Sequence, residues 1–140
     1  MCPYPLFVYG SLLKGVDHPY HRHLARYCEY LGPGRLQGRL FEVNGYPGAI
    51  TSDQTDEWVT GELYGIQEST PLFLILDEYE GCSDDDPLPH EYQRVLQPIL
   101  LEDGSQLTAW TYCYAGDTSR LQQITSGDYL AYRYRQHHQK

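Results

Sequence analysis

Three carboxylates crowd the stretch LDEYEG at 76–81, where Asp77, Glu78 and Glu80 close an apolar run with the pattern of a short helix. The C-terminal end of a helix disfavours negative charge. A carboxylate placed there, if also buried, has its pKa raised toward neutrality, where it can both take and return a proton. The plainer alternative is that all three acids simply solvate the helix end. A second feature is the β-prone run PLFVY at 5–9, which breaks at Gly10-Ser11. A strand that stops in Gly-Ser exposes consecutive backbone N–H groups able to hold a carboxylate or an oxyanion, although such turns are also common without any function.

Other chemistry is less well supported by spacing. His18, His21 and His23, with Cys28 beyond, match neither HExxH nor a Cys2His2 pattern, and read as solvated loop histidines. Asp84, Asp85 and Asp86 are followed by Pro87 and lack the glycine and terminal glutamate of a calcium loop. No metal ligand set and no cofactor are expected. Cys2, Cys28, Cys82 and Cys113 form no CxxC pair and read as reduced thiols of a cytoplasmic protein. Cys82 adjoins the acidic motif, but no histidine stands in a recognisable arrangement to activate it as a nucleophile.

A formal net charge of −9 argues against nucleic acid or an anionic membrane as partner. The basic stretch Arg133, Arg135, His137, His138 and Lys140 reads as an exposed, frayed terminus. The start, MCPYPLFVYGSLLKG, has no basic n-region and its apolar part ends at Gly10, so neither a signal peptide nor a membrane span is expected. Tyrosine is abundant, 14 residues against 3 Phe and 2 Trp; each buried ring brings a hydroxyl that needs a partner.

The 140 residues suit one domain, with no repeat or linker. Residues 5–9 form a strand, and 17–30 are helix-like in their second half. Residues 35–43 alternate weakly up to the hairpin signal Asn44-Gly45, and 58–66 read as another strand. Ser69-Thr70 can cap a helix with Pro71 at its first position, running through LFLILDEY. Residues 92–101 are β-like, with Pro98 marking an edge or bulge. After Asp103-Gly104, residues 106–115 put Trp110, Tyr112 and Tyr114 on one face, as core or as pocket wall. Several antiparallel strands with two or three helices make an α+β fold or a helix-decorated barrel.

Taken in order, Val8-Tyr9-Gly10-Ser11-Leu12, Gly45-Tyr46-Pro47-Gly48, Thr60-Gly61-Glu62-Leu63-Tyr64, Leu76-Asp77-Glu78-Tyr79-Glu80-Gly81, Tyr92-Gln93-Arg94, Trp110-Thr111-Tyr112-Cys113-Tyr114 and Ser126-Gly127-Asp128-Tyr129 resemble the γ-glutamylcyclotransferase-like family, with its AIG2-like and γ-glutamylamine cyclotransferase branches. The resemblance covers nearly the whole chain. It implies a small mixed β-barrel flanked by short helices, and a cofactor-free reaction in which a γ-glutamyl amide cyclises to 5-oxoproline and releases its amine. It implies Glu80 as the acid–base residue, while Asp77 and Glu78 are not carried over. Backbone N–H groups of Gly10, Ser11 and Leu12 would hold the substrate, with Tyr9 and Tyr112 lining the pocket and Tyr92 bonding near Glu80 or the substrate.

Two departures stand out. The segment CSDDDPLPHE at 82–91 looks long and acidic for the family, and would select cationic leaving amines if it covers the pocket; an insertion without function is the alternative. Leu13-Lys14 replaces the basic residues that often follow YGSL. Two competing classes remain: a catalytically silent module that binds a γ-glutamyl or amino-acid ligand, and an acidic protein-interaction domain.

Overall fold

The computed structural model describes residues 4–10, 21–43, 45–83 and 88–138. Along these, the elements run β1 (Leu6–Val8), α1 (His21–Tyr27), β2 (Cys28–Val43), β3 (Tyr46–Thr51), β4 (Trp58–Ile66), α2 (Ser69–Tyr79), β5 (Tyr92–Leu101), β6 (Gln106–Tyr114), β7 (Gln122–Gln123) and α3 (Tyr129–His138). β2 pairs with β4, β4 with β1, β1 with β6, β6 with β5, and β5 returns to β2. Five strands thus close a barrel. It is mixed because β1 and β6 run parallel, Leu6 opposite Trp110, whereas the other four ladders are antiparallel.

Sequence pattern explains most of these elements. β1 is the apolar triplet Leu6, Phe7 and Val8, all buried, as a strand with a neighbour on each side requires. β4 occupies 58–66 as its pattern predicts and turns Val59, Gly61 and Leu63 inward. The hairpin signal Asn44-Gly45 falls between β2 and β3, which pair antiparallel with Val43 opposite Tyr46; Gly45 has φ 89°, and Asn44 lies outside the described residues. β2 is longer than predicted. Its first half carries Gly32, Pro33 and Gly34, which hide the strand, and its register shifts between Tyr30 and Gly32. Past Gln37 it leaves the barrel to pair with β3 and β7.

The helices differ from expectation in detail. α1 straddles the middle of 17–30 rather than filling its second half, because the chain enters β2 already at Cys28. α2 starts with Glu68 at the N-cap and no side-chain cap, so Ser69 and Thr70 are inside the helix and Pro71 is its third residue. Pro is tolerated there because the first four N–H groups of a helix have no intrahelical partner. Leu72 and Leu76 anchor this helix in the barrel core with Leu6, Leu24, Leu36 and Leu63. Where the basic stretch was expected to be a frayed terminus, its described part is helical through His138, and Gln139 and Lys140 lie outside the described residues. Asp128 caps this helix through the Ala131 N–H at 3.1 Å, and Tyr129 stacks on Tyr132. Among the described residues no helix is long and apolar enough to cross a membrane.

Candidate active site

Glu80 owes its place to the way α2 ends. Gly81 takes φ 73°, a left-handed conformation that side chains disfavour. Its N–H donates to the Glu78 carbonyl at 3.1 Å, and the Cys82 N–H donates to the Asp77 carbonyl at 2.8 Å. These two bonds form a Schellman motif with Glu80 as the last cap residue. The glycine after the acid is therefore the stop signal, and it holds Glu80 at a defined point beside the barrel. Glu78, two residues before Glu80, is exposed.

At this end of the barrel a cavity of about 280 Å³ opens. Of the residues expected to form a site, it gathers Glu80, Tyr9, Gly10, Tyr92 and Tyr112. Ser11 and Leu12 lie outside the described residues, as does most of the proposed N–H cradle with them. Gly10 is required sterically: a Cβ there would fall 2.3 Å from Pro47 Cγ. Phe7, Val8, Tyr46, Pro47, Tyr79, Gly81 and Glu91 complete the lining and were not named as site residues from sequence. Val8, Tyr46, Pro47, Tyr79 and Gly81 stand inside the motifs that carry the family resemblance, and Glu91 in the acidic 82–91 segment.

Burial, and after it the negative charge of Asp77, pushes the Glu80 carboxyl up to about 7. Among the described residues no hydrogen bond opposes the shift. The expectation of a raised pKa is met, with burial and Asp77 as its causes. The Cys82 thiol is pushed up to about 11 by burial and by Asp77 and Glu80, which makes it a poor nucleophile at neutral pH.

The tyrosine hydroxyls are committed to the scaffold. Tyr9 donates to the Tyr112 carbonyl at 2.6 Å and accepts from the Ala49 N–H at 3.1 Å. Tyr92 donates to the Pro47 carbonyl at 2.8 Å, not to Glu80, so toward a ligand it can only accept. Burial first and the Glu80 charge second raise the pKa of both phenols. Tyr112 donates to Asp77 Oδ1 at 2.5 Å. The aromatic face of β6 thus serves both purposes considered for it, because Tyr112 belongs to the core and also lines the cavity.

Asp77, set aside by sequence, is the best-connected acid near the site. Arg94 reaches it through Nε at 2.9 Å and Nη2 at 3.2 Å. Among the described residues no group of three or more His, Cys, Asp or Glu side chains is arranged to hold a metal ion. His18 and Asp84–Asp86 lie outside those residues.

Comparison with known proteins gives a consistent family. The family model described as gamma-glutamyl cyclotransferase, AIG2-like matches residues 6–131. A Methanocaldococcus jannaschii protein bearing the name "putative gamma-glutamylcyclotransferase" is 30% identical over 129 residues, which cover 91% of this chain and 97% of that one. Among solved structures, YkqA of Bacillus subtilis aligns with a TM-score of 0.71 at 22% identity, over 96% of this chain and 42% of that longer one. A mouse AIG2-like protein aligns with a TM-score of 0.60 at 24% identity, over 80% of this chain and 77% of that one. These two structural likenesses carry the fold.

Proposed function

The chain belongs to the AIG2-like gamma-glutamyl cyclotransferase family, and from that premise we propose that its cavity cyclises a γ-glutamyl amide to 5-oxoproline, with Glu80 moving the proton. The observation that carries this reading is a carboxyl held near pKa 7 in the wall of an aromatic cavity, beside Tyr9, Tyr92 and Tyr112. The cavity volume, about 280 Å³, is at the lower end of small-molecule sites and suits a folded glutamyl group.

In the proposed reaction Glu80 takes a proton from the substrate α-ammonium. The freed amine attacks the γ-carbonyl carbon, forming the new ring C–N bond. Glu80 returns that proton to the departing nitrogen as the old amide C–N bond breaks, then relays the second proton of the ring nitrogen to the same amine, which leaves as an ammonium, so atoms and charge balance without a co-reactant. Holding the substrate folded supplies an effective molarity on the order of 10⁵ M or more. A carboxyl that titrates near 7 is suited to both transfers, because neither its protonated nor its ionised form is scarce. The Gly10 backbone is the described part of the N–H cradle we assign to the substrate carboxylate or the oxyanion.

Glu91 is exposed, comes from the acidic 82–91 segment, and lines the same cavity. Among the described lining residues Glu80 and Glu91 are the charged ones, both acids. This supports a released amine that is cationic or neutral rather than one bearing a carboxylate. Cys28, Cys82 and Cys113 are not joined in disulfides, which fits a reducing compartment, and we assign the activity to the cytoplasm.

The test is a panel of γ-glutamyl amides followed by 5-oxoproline and amine release. Glu80→Gln is expected to lose at least ~10³-fold in kcat, at or above the middle of the range for acid–base groups, while a γ-glutamyl ligand still raises its Tm. Glu78→Gln should stay near wild type. Turnover by Glu80→Gln within tenfold of wild type overturns the assignment.

A further inference from the structure

Asp77 sits three residues before Glu80 in the last turn of α2 and is tied down from three directions. Its backbone carbonyl takes the Cys82 N–H that locks the helix end. Its Oδ1 accepts from Arg94 Nε at 2.9 Å and from the Tyr112 hydroxyl at 2.5 Å, and its Oδ2 accepts from Arg94 Nη2 at 3.2 Å. Arg94 and Tyr112 are directly opposite one another on β5 and β6, so both side chains rise from one face of the ladder and converge on one acid. The Arg94 guanidinium also lies 3.9 Å from the centre of the Phe73 ring on α2 and 4.8 Å from that of Trp110 on β6. A planar cation both stacked and bidentate loses little freedom in forming the pair, unlike an isolated surface ion pair.

We propose that Asp77 is a positioning residue for Glu80: clamped by Arg94 and Tyr112, it fixes the last turn of α2 against β5 and β6 and so sets where Glu80 enters the cavity. The inference rests on the reading of Glu80 as the acid–base group. With the clamp in place, the cap residue three positions on cannot slide or rotate relative to the barrel. The same bond holds the Tyr112 ring, a wall of that cavity. A pair serving stability alone could sit anywhere along the helix. This one sits on the turn that ends in Glu80, and one of its partners lines the site.

Charge supplies an independent readout. Among the described residues, the titratable groups around Glu80 are Tyr9 after β1, Tyr46 on β3, Tyr79 and Cys82 at the end of α2, Glu91 just before β5 with Tyr92 on it, Tyr112 on β6, and Asp77 with Arg94 behind it. Burial keeps Tyr9, Tyr92, Tyr112 and Cys82 neutral near pH 7, so among the described residues the acidic and basic groups left nearby are Asp77, Arg94 and Glu91. In Asp77→Asn the side chain is nearly isosteric but neutral, and Arg94 loses its counter-charge. Both changes favour ionised Glu80, so its titration moves to lower pH.

The experiment uses Asp77→Ala, Asp77→Asn, Glu80→Gln and, as a control, Arg39→Ala, which breaks the surface pair with Glu57 at 2.7 Å. Two quantities are read for each folded variant: kcat and KM against pH with a γ-glutamyl amide, and the NMR titration of the ¹³C-labelled Glu80 carboxyl, assigned by its loss in Glu80→Gln. Asp77→Ala is expected to lose about 10- to 100-fold in kcat, the scale of a misplacement near 1 Å, with KM within about threefold. Asp77→Asn should lose less than about tenfold and carry the Glu80 midpoint and the acid limb of the rate profile to lower pH. Arg39→Ala should match wild type in kcat and midpoint. If Asp77→Ala fails to fold, Asp77→Asn decides alone. A wild-type midpoint in Asp77→Asn, or a wild-type kcat in folded Asp77→Ala while Glu80→Gln is inactive, overturns the positioning role. An active Glu80→Gln overturns the acid–base reading instead, and the NMR titration still reports whether Asp77 governs Glu80.

Discussion

Replacing Glu80 by glutamine probes the buried carboxyl without reference to any substrate. In the unfolded chain this glutamate releases its proton near the ordinary 4.5, and in the folded protein near about 7. Between those values the folded state binds more protons than the unfolded one, so stability falls as pH rises. The contribution is fully present below about pH 4.5 and fully lost above about pH 7. At ~1.4 kcal/mol per tenfold in acidity, the difference comes to about 3 kcal/mol. Glutamine does not ionise and escapes this loss. The stability of Glu80→Gln relative to wild type should therefore grow through the window and level off near pH 8, about 3 kcal/mol above its value at pH 4.5. For a chain of 140 residues that corresponds to roughly 10 °C in Tm. Urea and thermal unfolding of both proteins across pH 4.5 to 8.5, at constant ionic strength, gives the curve directly. Any constant offset from the amide itself is irrelevant, since only the pH-dependent part is diagnostic. A difference that stays flat across the window refutes the burial argument, and with it the reason for casting Glu80 as a proton shuttle.

Three further expectations follow from the site. Gly81→Ala puts a side chain at φ 73° and should cost roughly 1 kcal/mol in unfolding free energy, with a larger proportional fall in kcat because the Glu80 cap moves; an unaltered kcat would show that the Schellman end does not set the geometry. Activity should survive exhaustive chelation, and loss with recovery on added zinc would overturn the cofactor-free mechanism. Across γ-glutamyl amides of a diamine, a neutral alkylamine and an amino acid, kcat/KM should fall in that order by about three- to tenfold per step at low salt. The gradient should flatten at high salt and in Glu91→Gln, and a salt-independent order would remove Glu91 as its cause.

Much of the site was legible because its signals are local. The acid-then-glycine pair at 80–81 encodes both a helix stop and the residue it presents, and the Asn-Gly turn sets the β2–β3 register that brings Pro47 into place. What escaped depends on partners far along the chain. Asp77 looked like one of three equivalent solvated acids, and only its contacts 17 and 35 residues away distinguish it. Tyr92 was expected to hydrogen-bond near Glu80 or the substrate; that a carbonyl 45 residues away takes its proton could not be read locally. α3 has no apolar stripe to betray it, and its sequence signal was the Asp128 cap rather than the basic residues that drew attention. The first half of β2 is a strand because β4 pairs with it, in spite of its own Gly-Pro-Gly.

The Tyr9 hydroxyl joins residues 103 and 40 positions away in sequence, Tyr112 and Ala49, and that single node has a kinetic consequence. Hairpins such as β2–β3 and β5–β6 close short loops and can form early, but neither contains the cavity. The walls meet only when β1 inserts between β4 and β6, the costliest closure of the chain. During refolding, far-UV circular dichroism should recover ahead of turnover. The return of activity would then time the seating of one three-residue strand, making the enzyme its own reporter of barrel closure.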